Sequence, residues 1–139
     1  MHIHQALITD LEGVSRLFNE YRIFYGQPSD LMGATLFLKE RMTMKDSIIF
    51  TARNGDRYAG FVQLYPSFSS VSMKRTWILN DLYVSEDARR EGTGQALMDA
   101  AIRLCKETNA KSVTLQTAPD NRKAQRLYEK NGFLIDDAY

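Results

Sequence analysis

The sequence places its clearest chemical motif in the segment ARREGTGQAL, residues 88–97. Arg89 and Arg90 precede two closely spaced glycines, Gly92 and Gly94, and a run of helix-forming residues follows. At a helix start the first backbone N–H groups lack intrahelical partners and carry the positive end of the helix dipole. Such a site suits a phosphate or pyrophosphate, because glycine lets the ligand approach the main chain and arginine adds charge-assisted hydrogen bonds. The alternative is a glycine turn with solvated arginines.

Two other phosphate-binding loops do not fit this segment. The chain contains no Gly-x-x-x-x-Gly-Lys-Ser/Thr sequence, which excludes a P-loop. The dinucleotide-binding pattern G-x-G-x-x-G also fails, because Leu97 stands at the position of its third glycine. The motif therefore predicts an anion site of another kind.

A second polar feature interrupts the apolar segment ILNDLYV, residues 78–84. Asn80 and Asp81 stand where a buried strand would carry apolar side chains, and an inward-facing polar group is costly without a partner or a task. Because adjacent strand residues point to opposite faces, only one of the two can line a given site directly. Asp81 is the better candidate, and three roles stay open for it: binding a cationic group, relaying a proton through water, or hydrogen-bonding the backbone.

The other reactive residue types do not form a recognisable centre. His2 and His4 share one face of an N-terminal strand, but no cluster of Cys, Asp or Glu completes a site there, so no metal is predicted. Cys105, the single cysteine, is predicted to be a small apolar residue of a helix. A Ser or Cys hydrolase, a covalent cysteine intermediate and an internal disulfide are therefore not expected.

The elements before these motifs read as a strand and two helices. HIHQALIT predicts a short first strand, after which Thr9 or Asp10 is expected to cap a helix. A second helix is predicted to start near Ser29 or Asp30. Its predicted apolar positions are Leu31, Leu36, Leu38 and Met42.

Strands are predicted around the polar dipeptide, and helices alternate with strands after it. Asn54-Gly55 predicts a tight hairpin turn, the residues 67–72 are predicted to be a loop, and RTWILNDLYV is predicted to be a strand buried on both sides. A helix over Gly94–Asn109 and a strand in KSVTLQTA should follow. Asn121 is expected to cap a helix over Arg122–Lys130, with Gly132 at its C-terminal end.

Length and composition are those of an ordinary globular protein. The 139 residues are predicted to form one domain, residues 1–139. No apolar run approaches the roughly 20 residues that cross a bilayer, and the N-terminus lacks the features of a signal peptide, so the sequence predicts a cytoplasmic protein. Eighteen basic and seventeen acidic residues give a formal net charge of +1, which supports neither a nucleic-acid nor a membrane partner.

The segment from Arg89 to Gly94 matches the signature Q/R-x-x-G-x-G/A of the GCN5-related N-acetyltransferase (GNAT) superfamily. ILNDLYV resembles the family's fourth strand, and NRKAQRLYEKNGF resembles its later helix, with Asn near the start, Tyr near the end and Gly-Phe closing it. The resemblance covers Trp77–Phe133 in order and spacing. It implies an α+β (α/β) fold in which helices flank a mixed, mostly antiparallel sheet whose last strand is missing or shortened.

The resemblance also implies a cofactor. In the family this loop holds the pyrophosphate of acetyl-coenzyme A (acetyl-CoA), the acetyl donor, while the main chain of Leu82 and Val84 would bond the pantetheine arm. Asn121 would contact the pantetheine or hold the neighbouring strand, and its alternative role is that of a helix cap alone. The implied cofactor-binding residues are Leu82, Tyr83, Val84, Arg89, Arg90, Gly92, Thr93, Gly94, Gln95, Asn121 and Ala124. Contacts with the ribose phosphate are implied for one or more of Arg122, Lys123 and Arg126.

Tyr128 matches the tyrosine that many family members place beside the coenzyme sulfur. Its hydroxyl would donate to the departing thiolate, which makes it the first catalytic candidate. The alternative is core packing, because Ala124, Leu127 and Tyr128 are spaced as a core-facing stripe would be. Asp81 is the second catalytic candidate, although family members often use water in place of one strict base.

The acceptor side is less closely defined by the resemblance. Polyamine acetyltransferases have Glu-Asp where this chain has Asn80-Asp81, so the first carboxylate has become an amide and polyamine specificity is in doubt. The implied substrate-binding residues are Asn80, Asp81, Tyr21 and Tyr25, with Glu20 as a further lining residue. Core packing is the alternative for the tyrosines.

The function implied by the resemblance is N-acetylation of a primary amine, by direct attack on acetyl-CoA in a ternary complex. A small-molecule amine is the expected acceptor. The alternatives are a protein N-terminus or lysine, a non-catalytic acyl-CoA sensor, or a module for another phosphorylated ligand. Because LIDDAY leaves room for one final strand where the family makes two, an exposed sheet edge and therefore a homodimer are expected.

Overall fold

The computed structural model describes residues 1–115 and 122–131. For residues 122–125 it describes the helical backbone and not the side chains. Its strands are β1 (His2–Gln5), β2 (Ile48–Asn54), β3 (Arg57–Ser69), β4 (Lys74–Val84) and β5 (Val113–Leu115). Its helices are α1 (Leu11–Phe24), α2 (Leu31–Met44), α3 (Thr93–Glu107) and α4 (Arg122–Lys130). The predictions for Asn121, Gly132 and the segment LIDDAY lie outside the described residues.

The five strands form one sheet in the order β1-β2-β3-β4-β5. The first four strands are antiparallel to their neighbours, and β5 is parallel to β4. Helices α1 and α2 cover one face, where Val14 and Leu38 pack against Phe61 of β3. Helices α3 and α4 cover the other face, where Leu97 and Tyr128 join the second core cluster. The predicted α+β class, a mixed and mostly antiparallel sheet flanked by helices, is confirmed.

The two N-terminal helices form where the sequence predicts them, with one difference in capping. Asp30 caps α2 as expected, its carboxylate accepting a hydrogen bond from the Gly33 amide at 2.9 Å. Asp10 precedes α1 but does not cap it, because its carboxylate accepts from the Leu7 amide at 2.9 Å. No helix within residues 1–115 and 122–131 is long and apolar enough to cross a membrane.

The buried face of α2 differs from the prediction. Leu31 and Leu36 are 44% and 62% exposed, whereas Ala34 and Leu38 are buried. The apolar residues of α2 are distributed around the helix, and the stripe with four-residue spacing that contains Ala34 and Leu38 is the one that meets α1 and the sheet. Spacing alone did not identify which of the apolar stripes would be buried.

Both hairpins differ in detail from the prediction. The first turn is centred one residue later than Asn54-Gly55, because Asn54 still pairs with Arg57 and Gly55 adopts a φ of 62°. The loop predicted over residues 67–72 is wrong for residues 67–69, since β3 continues to residue 69 and pairs with β4 along its whole extension, and it is right for residues 70–72, which lie in the turn. The guanidinium of Arg75 lies over the rings of Phe68 and Trp77, at 4.9 and 5.2 Å, and stabilises this two-stranded ribbon.

A β-bulge in β4 decides which face each polar residue meets. Leu64 of β3 pairs with Leu79, but the preceding Gln63 pairs with Asp81, so Asn80 is the extra residue. Leu79 packs in the core on the α3 side, whereas Asp81 shares with its partner Gln63 the face covered by α1 and α2. The prediction that β4 is buried on both sides is only half right, because Asn80 is only half-buried.

Candidate active site

Asp81 lies at the centre of a buried polar cluster between β4 and α1. Only 6% of Asp81 is exposed. Its Oδ2 accepts a hydrogen bond from Gln63 Nε2 at 2.8 Å, and its Oδ1 accepts one from Asn80 Nδ2 at 3.1 Å. Both partners are side-chain amides. Within the described residues, Asp81 therefore does not hydrogen-bond the backbone alone, which was one of its predicted alternatives. A buried carboxylate held by two amide donors remains able to accept further hydrogen bonds.

Tyrosines from three elements surround this carboxylate. Burial raises the pKa of Tyr21 on α1, and the Asp81 carboxylate, which interacts with its hydroxyl, raises that pKa further. Burial and then Asp81 also raise the pKa of Tyr65 on β3, to about 12. For Tyr128 on α4, burial raises the pKa first, followed by Tyr25 and Asp81. The hydroxyls of Tyr21, Tyr65 and Tyr128 therefore stay protonated at neutral pH and can act as hydrogen-bond donors.

Tyr21 and Tyr25 pack together beside the Asp81 cluster. The two rings meet edge to face with centroids 5.1 Å apart. Tyr21 also packs edge to face against Phe61 at 5.7 Å and Tyr83 at 6.1 Å, whereas Tyr25 is 39% exposed at the rim. Tyr21 is thus fixed by the core at the position from which its hydroxyl reaches Asp81, which fits the packing alternative, and its substrate-binding role stays a prediction.

Tyr128 also packs in the core with its hydroxyl near Asp81. It is only 3% exposed and belongs to the core cluster on the α3 side, as the stripe reading predicted. Its hydroxyl nevertheless lies close enough to Tyr25 and Asp81 for both to act on its pKa. The fold therefore brings together Tyr21 on α1, Tyr25 at the end of α1, Asp81 on β4 and Tyr128 on α4, and their roles in binding or catalysis stay predictions.

Two members of the cluster, Gln63 and Tyr65, were missed by the sequence analysis. Both lie on β3, and Gln63 is the direct cross-strand partner of Asp81. The available signal was a polar residue inside the apolar run GFVQLY, residues 60–65, which repeats the pattern seen at Asn80 and Asp81. Its pairing could not be read from the sequence, because the bulge shifts the register.

The glycine loop has the backbone shape of an anion site. Arg90 and Gly92 both adopt left-handed conformations, with φ of 68° and 79°. Helix α3 begins at Thr93, one residue before the predicted start, and ends at Glu107, and its first hydrogen bond runs from the Ala96 amide to the Gly92 carbonyl at 3.0 Å. The amides ahead of Ala96 therefore belong to the helix start that lacks intrahelical partners.

The loop carries a further polar group that lacks a partner. Thr93 is 2% exposed, and its Oγ1 has no hydrogen-bond partner within the part of the chain that the structure describes. A Cβ built on Gly92 would meet no atom within 4 Å, so this glycine is required by its φ and leaves open space above the main chain. A Cβ on Gly94 would lie 3.2 Å from Leu127 Cδ2, so Gly94 instead allows α4 to pack closely.

The two arginines of the loop, Arg89 and Arg90, differ in whether their side chains are already engaged by the protein. Arg89 Nε donates to the Val84 carbonyl at 3.2 Å, so its side chain is engaged by β4. Arg90 is exposed. The predicted charge-assisted contacts to a phosphate therefore fit Arg90 better than Arg89.

The remaining predicted residues have different placements. Leu82, Tyr83 and Val84 pair with β3 on one side, and the described pairing of β4 with β5 ends at Leu79. Burial and then the nearby Asp87 raise the pKa of Glu20. Asn121 lies outside the described residues, and the side chains of Arg122, Lys123 and Ala124 do as well.

The histidines lie in a separate polar cluster around the buried Asp10, in which His4 is half-buried and His2 is exposed. Asp10 Oδ2 contacts His4 Nε2 at 3.1 Å, and Asp10 Oδ1 accepts from the Tyr58 hydroxyl at 2.7 Å. The rings of His2 and His4 stack with centroids 4.9 Å apart. Across residues 1–115 and 122–131, no group of three or more His, Cys, Asp and Glu side chains is arranged to hold a metal ion.

Comparison with known proteins agrees with this arrangement. The model of the acetyltransferase (GNAT) family matches residues 13–133. The chain is 49% identical to an uncharacterized N-acetyltransferase, YhfO, of Bacillus subtilis, over 100% of this chain and 93% of that one. It is 28% identical to the D-amino-acid N-acetyltransferase HPA3 of Saccharomyces cerevisiae, over 91% and 81% of the two chains. A crystal structure of a probable acetyltransferase superposes with a TM-score of 0.92 at 42% identity, covering 100% of this chain and 93% of that one.

Proposed function

Because the chain belongs to the GNAT acetyltransferase family, we propose that it transfers the acetyl group of acetyl-CoA to the primary amine of a small molecule in a ternary complex. The observation that carries this proposal is the buried Asp81 carboxylate, which faces α1 and has the protonated hydroxyls of Tyr21 and Tyr128 near it. The glycine loop at the start of α3 supplies the second half of the site.

The loop fits the diphosphate of a coenzyme A thioester. The left-handed Gly92 leaves open space above the main chain, and the buried Thr93 hydroxyl can donate to an oxyanion. The amides of Thr93, Gly94 and Gln95 precede the first hydrogen bond of α3 and add main-chain donors at the positive end of its dipole. When bound, acetyl-CoA supplies an activated acetyl group whose thiolate is the leaving group.

Asp81 and its neighbours would receive the amine. An amine with a pKa near 10 is mostly protonated at neutral pH, so a buried carboxylate that accepts hydrogen bonds attracts and orients the ammonium group. The amine must lose one proton before its nitrogen lone pair attacks the carbonyl carbon. We assign to Asp81, directly or through the Tyr21 hydroxyl, the task of accepting that proton.

Tyr128 would assist the departure of the thiolate. Burial raises the pKa of its hydroxyl above that of a coenzyme A thiol, about 8.5. The group therefore stabilises the thiolate by donating a hydrogen bond and keeps its own proton. The nitrogen–carbon bond forms and the carbon–sulfur bond breaks. The ammonium group loses two protons in all: the first is accepted by Asp81 before the attack and passes to solvent, and the second leaves the nitrogen as the amide forms and ends on the thiolate.

The enclosure of Asp81 favours a small acceptor over a protein chain, because only 6% of that residue is exposed. Amino acids are a rational first class to test, given the name of the yeast relative. A homodimer stays a prediction, which size-exclusion chromatography with light scattering would test.

Two measurements test the proposed function. Thermal-shift assays with acetyl-CoA, coenzyme A, ATP and NAD should show stabilisation only by the first two ligands. Thiol release should then be followed across a panel of D- and L-amino acids, polyamines and a peptide with a free N-terminus, with mass spectrometry of the acetylated product. Stabilisation by acetyl-CoA without thiol release on any amine would refute the enzymatic proposal and favour an acyl-CoA sensor.

A further inference from the structure

We propose that Gln63 is a positioning residue for the acetyl-transfer site, fixing the Asp81 carboxylate in the orientation that receives the acceptor's ammonium group. This inference rests on the proposed function, and it concerns a residue that lies on a different strand from the sequence motifs. Gln63 is fully buried in the middle of β3.

The hydrogen bonds of Gln63 fix the direction of its amide. Ser47 Oγ donates to Gln63 Oε1 at 3.0 Å, and Gln63 Nε2 donates to Asp81 Oδ2 at 2.8 Å. A carboxylate can only accept, so the amide nitrogen must face Asp81 and the amide oxygen must face Ser47. The chain Ser47–Gln63–Asp81 is therefore directional and ends on the carboxylate.

A buried amide at this position is not required for packing. Its neighbour on the same face of β3 is Phe61, which packs in the apolar cluster under α1. Burying an amide costs free energy unless its hydrogen bonds are satisfied, and an apolar side chain of similar volume would fill the same space. The partner that repays this cost is Asp81, which belongs to the candidate active site.

Gln63 and Asn80 each hold one oxygen of the carboxylate. Two amide donors prevent rotation of the Asp81 side chain and leave lone pairs on both oxygens for further donors. The groups that face Asp81 from the packed elements are the hydroxyls of Tyr21 on α1, Tyr65 on β3 and Tyr128 on α4. All three hydroxyls are neutral, so the donors described around the carboxylate are amide and hydroxyl dipoles. A cationic acceptor would supply the opposite charge.

The test compares three variants with the wild-type enzyme on one amine that it acetylates. Gln63→Leu removes the donor and keeps the volume. Gln63→Glu places a second carboxyl against Asp81, where two carboxyls in contact share a proton. Thr51→Val is the matched control, because Thr51 is also fully buried on this part of the sheet but donates to the Gly60 carbonyl at 2.9 Å.

We expect the kcat/KM for the amine to fall about 10- to 150-fold in Gln63→Leu, the range for losing a hydrogen bond to a charged group. The KM for acetyl-CoA should not change. Gln63→Glu should move the acidic limb of the kcat/KM profile to higher pH, because the carboxyl pair retains a proton. Thr51→Val should lower the melting temperature and leave both the kcat/KM and its pH profile unaltered.

The possible outcomes separate this inference from the proposed function. If the wild-type enzyme turns over an amine, and Gln63→Leu folds with unchanged kcat/KM and pH profile, the role of Gln63 is refuted and the proposed function stands. If both Gln63 variants lose stability while the pH profile stays fixed and the losses in kcat and acetyl-CoA affinity are equal, Gln63 is only structural. A wild-type protein that acetylates no amine would overturn the proposed function and the inference with it.

Discussion

Replacement of Tyr128 by Phe removes one hydroxyl and leaves the ring that packs in the core. Burial raises the pKa of this hydroxyl, and Tyr25 and Asp81 raise it further, so the group stays protonated throughout the pH range in which the amine reacts. A hydrogen bond to a charged group contributes about 1.5–3 kcal/mol, and each 1.36 kcal/mol is a factor of about ten in rate. We therefore expect the kcat of Tyr128→Phe to fall about 10- to 150-fold.

Acetyl-CoA affinity should be nearly unchanged in this variant, because the thiolate charge develops only as the carbon–sulfur bond breaks. The kcat is measured by thiol release at saturating acetyl-CoA and amine, and the affinity by isothermal titration calorimetry. Tyr58→Phe is the matched control, since it removes a tyrosine hydroxyl that donates to Asp10 at 2.7 Å, away from the site. That control should lose stability and keep its kcat. A Tyr128→Phe enzyme with wild-type kcat would remove Tyr128 from the mechanism.

Two further substitutions test the loop and the fold. In Gly92→Ala the unliganded loop is expected to relax out of the left-handed φ of 79°, which costs about 1–2 kcal/mol for a residue with a Cβ, so that acetyl-CoA binding must restore that conformation. Binding should therefore weaken about 5- to 30-fold by calorimetry, and less in Gly92→Asn. Burial raises the pKa of Asp10, but hydrogen bonds from the Leu7 amide, Tyr58 and His4 outweigh it and lower that pKa below 3.8. Asp10→Asn should therefore cost about 1–3 kcal/mol of unfolding free energy at neutral pH, and this difference should shrink in urea titrations as the pH falls below about 4. If Asp10→Asn lost the same free energy of unfolding at neutral pH and below about pH 4, the effect would not come from the charge of Asp10.

The features that the sequence predicted well are local ones. The loop from Arg89 to Gly94 and the start of α3 depend on backbone preferences of neighbouring residues, so the motif was sufficient to locate them. The environment of Asp81 depends on strand register. With regular pairing Asp81 would follow Leu79 onto the α3 side, and only the extra residue Asn80 turns it toward α1. Sequence alternation cannot reveal such a bulge, which is why Gln63 was missed.

The length of β3 was mispredicted for a related reason. The serines after residue 66 favour a loop when they are considered one by one. Cross-strand contacts decide otherwise, because Phe68 pairs with Arg75, whose guanidinium also covers Trp77. These contacts exist only once the hairpin has formed, so no local pattern encodes them.

The loop and the helix that carries Tyr128 form one structural unit. Gln95 Nε2 donates to Asn131 Oδ1 at 2.7 Å, and Asn131 Nδ2 donates to Gln95 Oε1 at 3.1 Å, which ties the start of α3 to the end of α4. Gly94 allows Leu127 to approach the same helix start. Under the proposed function, residues whose main chain faces the diphosphate thus also hold the helix whose tyrosine meets the sulfur. Under that proposal one junction would align donor recognition with leaving-group assistance, whereas Asp81 is held by the pairing of β3 with β4.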